Sequence, residues 1–152
     1  MQRQRKCQKM NPEILFNQSF EILGRDFSNA GTVSVKIKRI LKEIGIRSDL
    51  VYRVSICCYE AEMNVIMYAM LATFDLTITD KEIIINIEDE GPGIADINKA
   101  MQEGYSTATA QMREMGFGAG LGLPNIKKNS DEFKIESEVA KGTKLNFKIY
   151  LN

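Results

Sequence analysis

The chain has 152 residues, 44% apolar and 26% charged, with 20 basic and 20 acidic side chains and a net charge of zero. That length suits one domain with a core that needs no staples, and the charge balance excludes a whole-chain electrostatic nucleic-acid binder. The complete absence of histidine excludes a Ser-His-Asp triad, a His-ligated zinc site and a phospho-accepting histidine in this chain.

Arg3, Arg5, Lys6 and Lys9 are not followed by an apolar stretch, so the start is no secretory signal. Residues 1–11 read as a frayed basic tail ahead of one domain over 12–152. A strand is expected over 14–23, where Ile14, Phe16 and Phe20 stand among polar partners. Ser28 is a candidate cap for a helix to about residue 44, with a Val33, Ile37, Ile40, Leu41, Ile44 stripe and Gly45 as its stop. Ser48 is a candidate cap for a second helix to about residue 71, whose stripe includes Val51, Val54, Cys58, Ala61, Val65 and Met70. Residues 74–79 and 83–89 alternate as strands, joined at Asp80-Lys81. A short helix is expected over 96–101, a mobile loop over 104–116 and another helix over 121–129. Strands over 133–138 and 144–151 meet at Lys141-Gly142. The order implies an α+β fold, a two-layer sandwich with helices over one face of a mixed or antiparallel sheet.

Cys7, Cys57 and Cys58 form an odd, unpatterned set, read as core residues or free thiols in a reducing, cytoplasmic setting. No apolar run is long enough to span a membrane.

Three separated motifs carry chemistry. Glu60 and Asn64 lie four apart on one face of the second helix, where an amide oxygen can ligate Mg2+ and a carboxylate can take a hydroxyl proton. Taken alone, the pair reads as a solvated helix face before it reads as a site, and Glu62 is expected to point to solvent. Asp89-Glu90-Gly91-Pro92-Gly93 ends a strand: an ionised Asp89 accepts hydrogen bonds, as the adenine amine requires, and Gly91 and Gly93 admit a flat base close to the backbone. A plain Gly-Pro turn is the bland alternative. Gly118-Ala119-Gly120-Leu121-Gly122 precedes a helix, where freed N–H groups can face an anion. It has neither dinucleotide spacing nor a following Gly-Lys-Ser/Thr. Ser106, Thr107 and Arg113 are loop candidates for phosphate contact, and Gly142-Thr143 opens the last strand.

With Glu103-Gly104-Tyr105-Ser106-Thr107, Leu123-Pro124-Asn125, the stretch 131–137 and Lys141-Gly142-Thr143, the ordered set resembles the GHKL ATPase superfamily, and within it the anti-sigma-factor serine/threonine kinases of RsbW or RsbT type. The resemblance implies a Bergerat ATP-binding fold taking ATP and Mg2+, with Glu60 as catalytic base and Asn64 on Mg2+. It also implies that Asp89 reads adenine beside Thr143. Gly91 and Gly93 would shape the adenine pocket, Gly118, Gly120, Leu121 and Gly122 would wrap the phosphates, and residues 94–117 would form a lid. It implies a protein kinase switch acting on a STAS-type partner, with a sigma factor as a second possible partner and a homodimer as a possible assembly. The alternative is a nucleotide-gated module that sequesters a regulator without chemistry. The stretch 108–115 makes the lid longer than such kinases lead one to expect.

Overall fold

The computed structural model describes residues 11–116 and 118–152; the basic segment 1–9 lies outside them. Five strands form one sheet: β1 (Ile14–Leu23), β2 (Leu71–Thr79), β3 (Glu82–Glu90), β4 (Glu132–Glu138) and β5 (Gly142–Tyr150). Their order is β1-β2-β3-β5-β4, with every neighbouring pair antiparallel. Helices α1 (Thr32–Ile44), α2 (Ser48–Tyr68) and α5 (Gly122–Asn129) cover one face. Two short helices, α3 (Ile97–Ala100) and α4 (Ala110–Glu114), lie between β3 and α5. The expected α+β architecture is present, with a wholly antiparallel sheet.

Period-two patterning sets the two faces of the sheet. Phe74, Leu76 and Ile78 of β2, Ile83, Ile85 and Ile87 of β3, and Leu145, Phe147 and Ile149 of β5 are buried beneath the helices. The alternate positions carry polar pairs on the open face: Asn17 donates to Thr77 at 2.7 Å, and Lys144 meets Glu88 at 3.2 Å. Such cross-strand pairs suit a sheet that is wet on one side.

α2 is the central helix. Leu50, Val54, Cys57, Cys58, Ala61, Val65 and Ile66 are all buried, because α1, α5 and the sheet pack around it. Burial pushes the Cys58 thiol well up and the Cys57 thiol up to about 12, so both remain protonated core residues. Among the described residues, no helix is long and apolar enough to cross a membrane.

Several boundaries differ from expectation. α1 starts at Thr32, and Ser28 lies in a 3-10 turn (Phe27–Asn29). The true cap of α1 comes from far along the chain. Glu62 is 1% exposed, not solvated. Its carboxylate accepts from the N–H groups of Gly31 (3.1 Å), Val33 (3.1 Å) and Ser34 (2.8 Å), and from the Ser34 hydroxyl. A carboxylate there satisfies orphan donors and complements the helix dipole, which is why its burial is tolerated. Ser48 is not a cap either: Arg47 holds that position, without a side-chain hydrogen bond. α2 stops at Tyr68, and the chain turns so sharply into β2 that Met70, placed in the stripe, is 80% exposed. The expected loop 104–116 contains α4, whose Thr109 side chain caps Met112 N–H at 3.2 Å while Met112 is buried.

Candidate functional site

A cleft of about 730 Å3 opens between the C-terminal half of α2, the end of β3 and the segment from Pro92 to α5. Glu60, Asn64, Asp89, Gly93, Ser106, Thr107, Gly118, Gly120, Leu121, Gly122 and Thr143 all line it. The three separated motifs therefore converge.

Asp89 reaches the cleft by register. It continues the inward series Ile83, Ile85, Ile87 on β3, so its side chain turns to the helix side where the apolar run ends. Its Oδ1 accepts the Thr143 N–H at 3.1 Å. Burial raises its pKa above the usual carboxylate range, while the N–H groups of Thr143 and Gly91 pull the other way. The strand beside it can come this close only because Gly142 has no side chain: its φ is +120°, and a Cβ there would lie 2.0 Å from the Asp89 carbonyl oxygen. Ser137 completes this end. Its Oγ accepts the Ile94 N–H at 2.7 Å and lies 2.8 Å from the Thr143 hydroxyl. Gly91 is not in the lining of the cleft; it packs behind it, against the Asp89 carboxylate and Ala69, while Gly93 lies against the Glu138 carbonyl.

At the other end, α2 presents Glu60 and Asn64 toward the first turn of α5. A Cβ built on Gly122 would sit 3.4 Å from both Glu60 Oε2 and Asn64 Oδ1. The carboxylate and the amide oxygen thus flank one point at the helix entrance. Gly120, with φ +76°, passes so close to the chain at 104–105 that a Cβ would fall 2.4 Å from the Gly104 carbonyl carbon. Gly104 N–H donates to the Gly120 carbonyl at 2.9 Å, pinning the chain at 104 to the glycine run. Ser106 Oγ accepts the Ala108 N–H at 3.1 Å, beside Gly118. Leu121, 42% exposed, stands at the cap position of α5.

The structure does not bring Arg113 into the cleft; it is exposed on α4. Lys99, which sequence reasoning did not single out, does line it and lies 5.3 Å from the centre of the Tyr105 ring. Sequence reasoning also gave no role to Ser137 or to Asn125, whose Nδ2 donates to Glu60 Oε1 at 2.9 Å. Both fall within stretches that carry the family resemblance, but nothing near them in the chain names their partners. Among the described residues, no three His, Cys, Asp or Glu side chains group as a self-sufficient metal site. Any divalent ion here would depend on ligand oxygens supplied by a bound anion. A hard amide oxygen beside a side-chain-free cradle fits that arrangement.

Comparison with known proteins agrees with this geometry. Residues 26–149 match the model of the histidine kinase-like ATPase domain. The chain is 32% identical over 112 residues to the serine/threonine-protein kinase RsbT of Bacillus subtilis, spanning 71% of this chain and 78% of that one. It is 29% identical over 125 residues to an anti-sigma F factor of Clostridium acetobutylicum, spanning 79% and 84%. Two solved structures share the fold, each with a TM-score of 0.56. They are the SiaB–SiaC complex of Pseudomonas aeruginosa (13% identity, 91% of each chain) and the RsbU and RsbW domains of a Mycobacterium tuberculosis protein (15% identity, 87% of this chain and 32% of that one). With most of its length matched and the ordered motifs gathered in one cleft, the chain belongs to the histidine kinase-like ATPase family.

Proposed function

We propose that this protein is a cytoplasmic ATP-dependent serine/threonine protein kinase that acts as a regulatory switch on a STAS-type partner protein. The observation that carries the reading is the placement of Glu60 and Asn64 about the helix entrance at Gly122. In this reading Asp89 and Thr143 hold the adenine, Gly91 and Gly93 shape its pocket, and the backbone at Gly118, Gly120 and Gly122 faces the phosphates, with Ser106, Thr107 and Leu121 closing over them. Asn64 would hold Mg2+, which would supply charge neutralisation at the transferring group. Glu60 takes the proton of the partner's hydroxyl as that oxygen bonds to the γ-phosphorus and the bond to the ADP oxygen breaks. Positioning and preorganised donors account for most of the acceleration in such chemistry. A relative named as a serine/threonine-protein kinase supports the reaction class, and a neighbour solved with a protein bound supports a protein partner.

The test is transfer of label from γ-labelled ATP to purified STAS-domain candidates. Transfer should be lost by at least about a hundredfold in Glu60→Gln with ATP binding retained. Tight ATP binding without transfer to any candidate would overturn the kinase reading. The second reading, a nucleotide-gated module that sequesters a sigma factor or another regulator, draws on the relatives named anti-sigma F factors. It predicts that Glu60→Gln releases its partner in ATP as wild type does.

A further inference from the structure

We infer that Asn125 is the residue that positions Glu60, so that the base is set by the seating of α5. The inference rests on the kinase reading for the role of Glu60, but the contact itself does not. Asn125 lies in the first turn of α5, where its own N–H closes the Leu121 carbonyl at 2.8 Å. Its Nδ2 donates to Glu60 Oε1 at 2.9 Å across the gap between α5 and α2. The sense of this bond is unambiguous, because an ionised carboxylate only accepts, so the amide must present its nitrogen.

The bond makes the two carboxylate oxygens unequal. Oε1 is occupied by the amide. Oε2 faces Gly122, where a Cβ, if present, would lie 3.4 Å from it and 3.4 Å from Asn64 Oδ1. A glutamate has three rotatable bonds and, without a tether, distributes its oxygens among several rotamers. The Asn125 amide selects one of them, and that one aims the free oxygen at the place where a hydroxyl would attack. Asn125 stands three residues after Gly122 on the same helix, so the tether belongs to the element that the glycine run opens. The orientation of Glu60 thus depends on where α5 sits against α2. Backbone hydrogen bonds of α5 do not depend on the Asn125 side chain, so its role is orientation and not helix formation.

The experiment compares wild type with Asn125→Leu, which keeps the branched outline and removes the donor, and Asn125→Asp, which replaces the donor with a like charge. With a partner that wild type phosphorylates, kcat should fall about 10- to 100-fold in both variants, since a misdirected base forfeits part of its usual contribution. The fall should be larger for Asp, and KM for ATP should change less than about threefold. A kcat equal to wild type, or a loss confined to KM, would overturn the inference. A second arm needs no catalysis. The Asn125 side-chain amide resonance, identified by its loss in Asn125→Leu, should shift in Glu60→Ala. An unmoved resonance would overturn the tether. If wild type transfers no phosphate to any partner, the kinase reading fails, and this arm alone decides whether Asn125 holds Glu60.

Discussion

Asp89 shows how a single residue is placed against its own interest. Burial holds its carboxyl above the ordinary range despite two backbone N–H partners. A carboxyl raised by folding favours the fold only while protonated: the contribution is full below the unfolded value and is lost as pH rises through the folded one. At neutral pH the ionised Asp89 is therefore a burden on the empty protein. Asp89→Asn is expected to melt at or above the wild-type temperature at pH 7 in scanning calorimetry. It should bind ATP about tenfold or more weakly by titration, having lost the charged acceptor. Wild-type affinity should also decline as pH falls through the raised value, while the Asn variant stays flat across that window. Gly142 cannot be exchanged without moving Asp89, because any side chain there meets the Asp89 carbonyl.

At the scale of elements, what could be read in advance was what repeats. The alternations at Ile83, Ile85, Ile87 and at Leu145, Phe147, Ile149 declare strands and their inward faces, and Asp89 follows from the first by counting in twos. The glycine run before α5 marks a helix entrance, and that entrance lines the cleft. What could not be read was which helix face meets which neighbour. Glu62 looked solvated because nothing near it in the chain says that the start of α1 lies opposite. Its four donors, from three residues, come from 28 to 31 residues away. Asn125 was hidden for the same reason, its acceptor lying 65 residues earlier. Short helices such as α4 escape periodicity altogether, since five residues show little more than one turn. The long-range cap carries a prediction: Glu62→Ala should destabilise the protein by about 3 kcal/mol in urea unfolding, because buried donors are left unmet. Glu62→Gln should lose less, and neither should change the secondary structure of the folded state.

For the whole molecule, the cleft is a seam between three parts: the central helix, the end of β3 with the start of β5, and the segment running from Pro92 to α5. A nucleotide that binds only the folded state would join them, and at one hundred times its Kd should raise the unfolding free energy by about 2.7 kcal/mol. Gly120→Ala should forfeit that gain, as its Cβ would collide with the chain at Gly104. Glu60 and Glu62 sit only two residues apart on α2, roughly 200° around its axis, so one looks into the seam while the other anchors α1. Architecture and reaction are thereby insulated from each other within a single turn. A substitution at Glu60 therefore alters the lining of the seam and leaves the anchor of α1 untouched, so the cleft can be remade without dismantling the body that holds it.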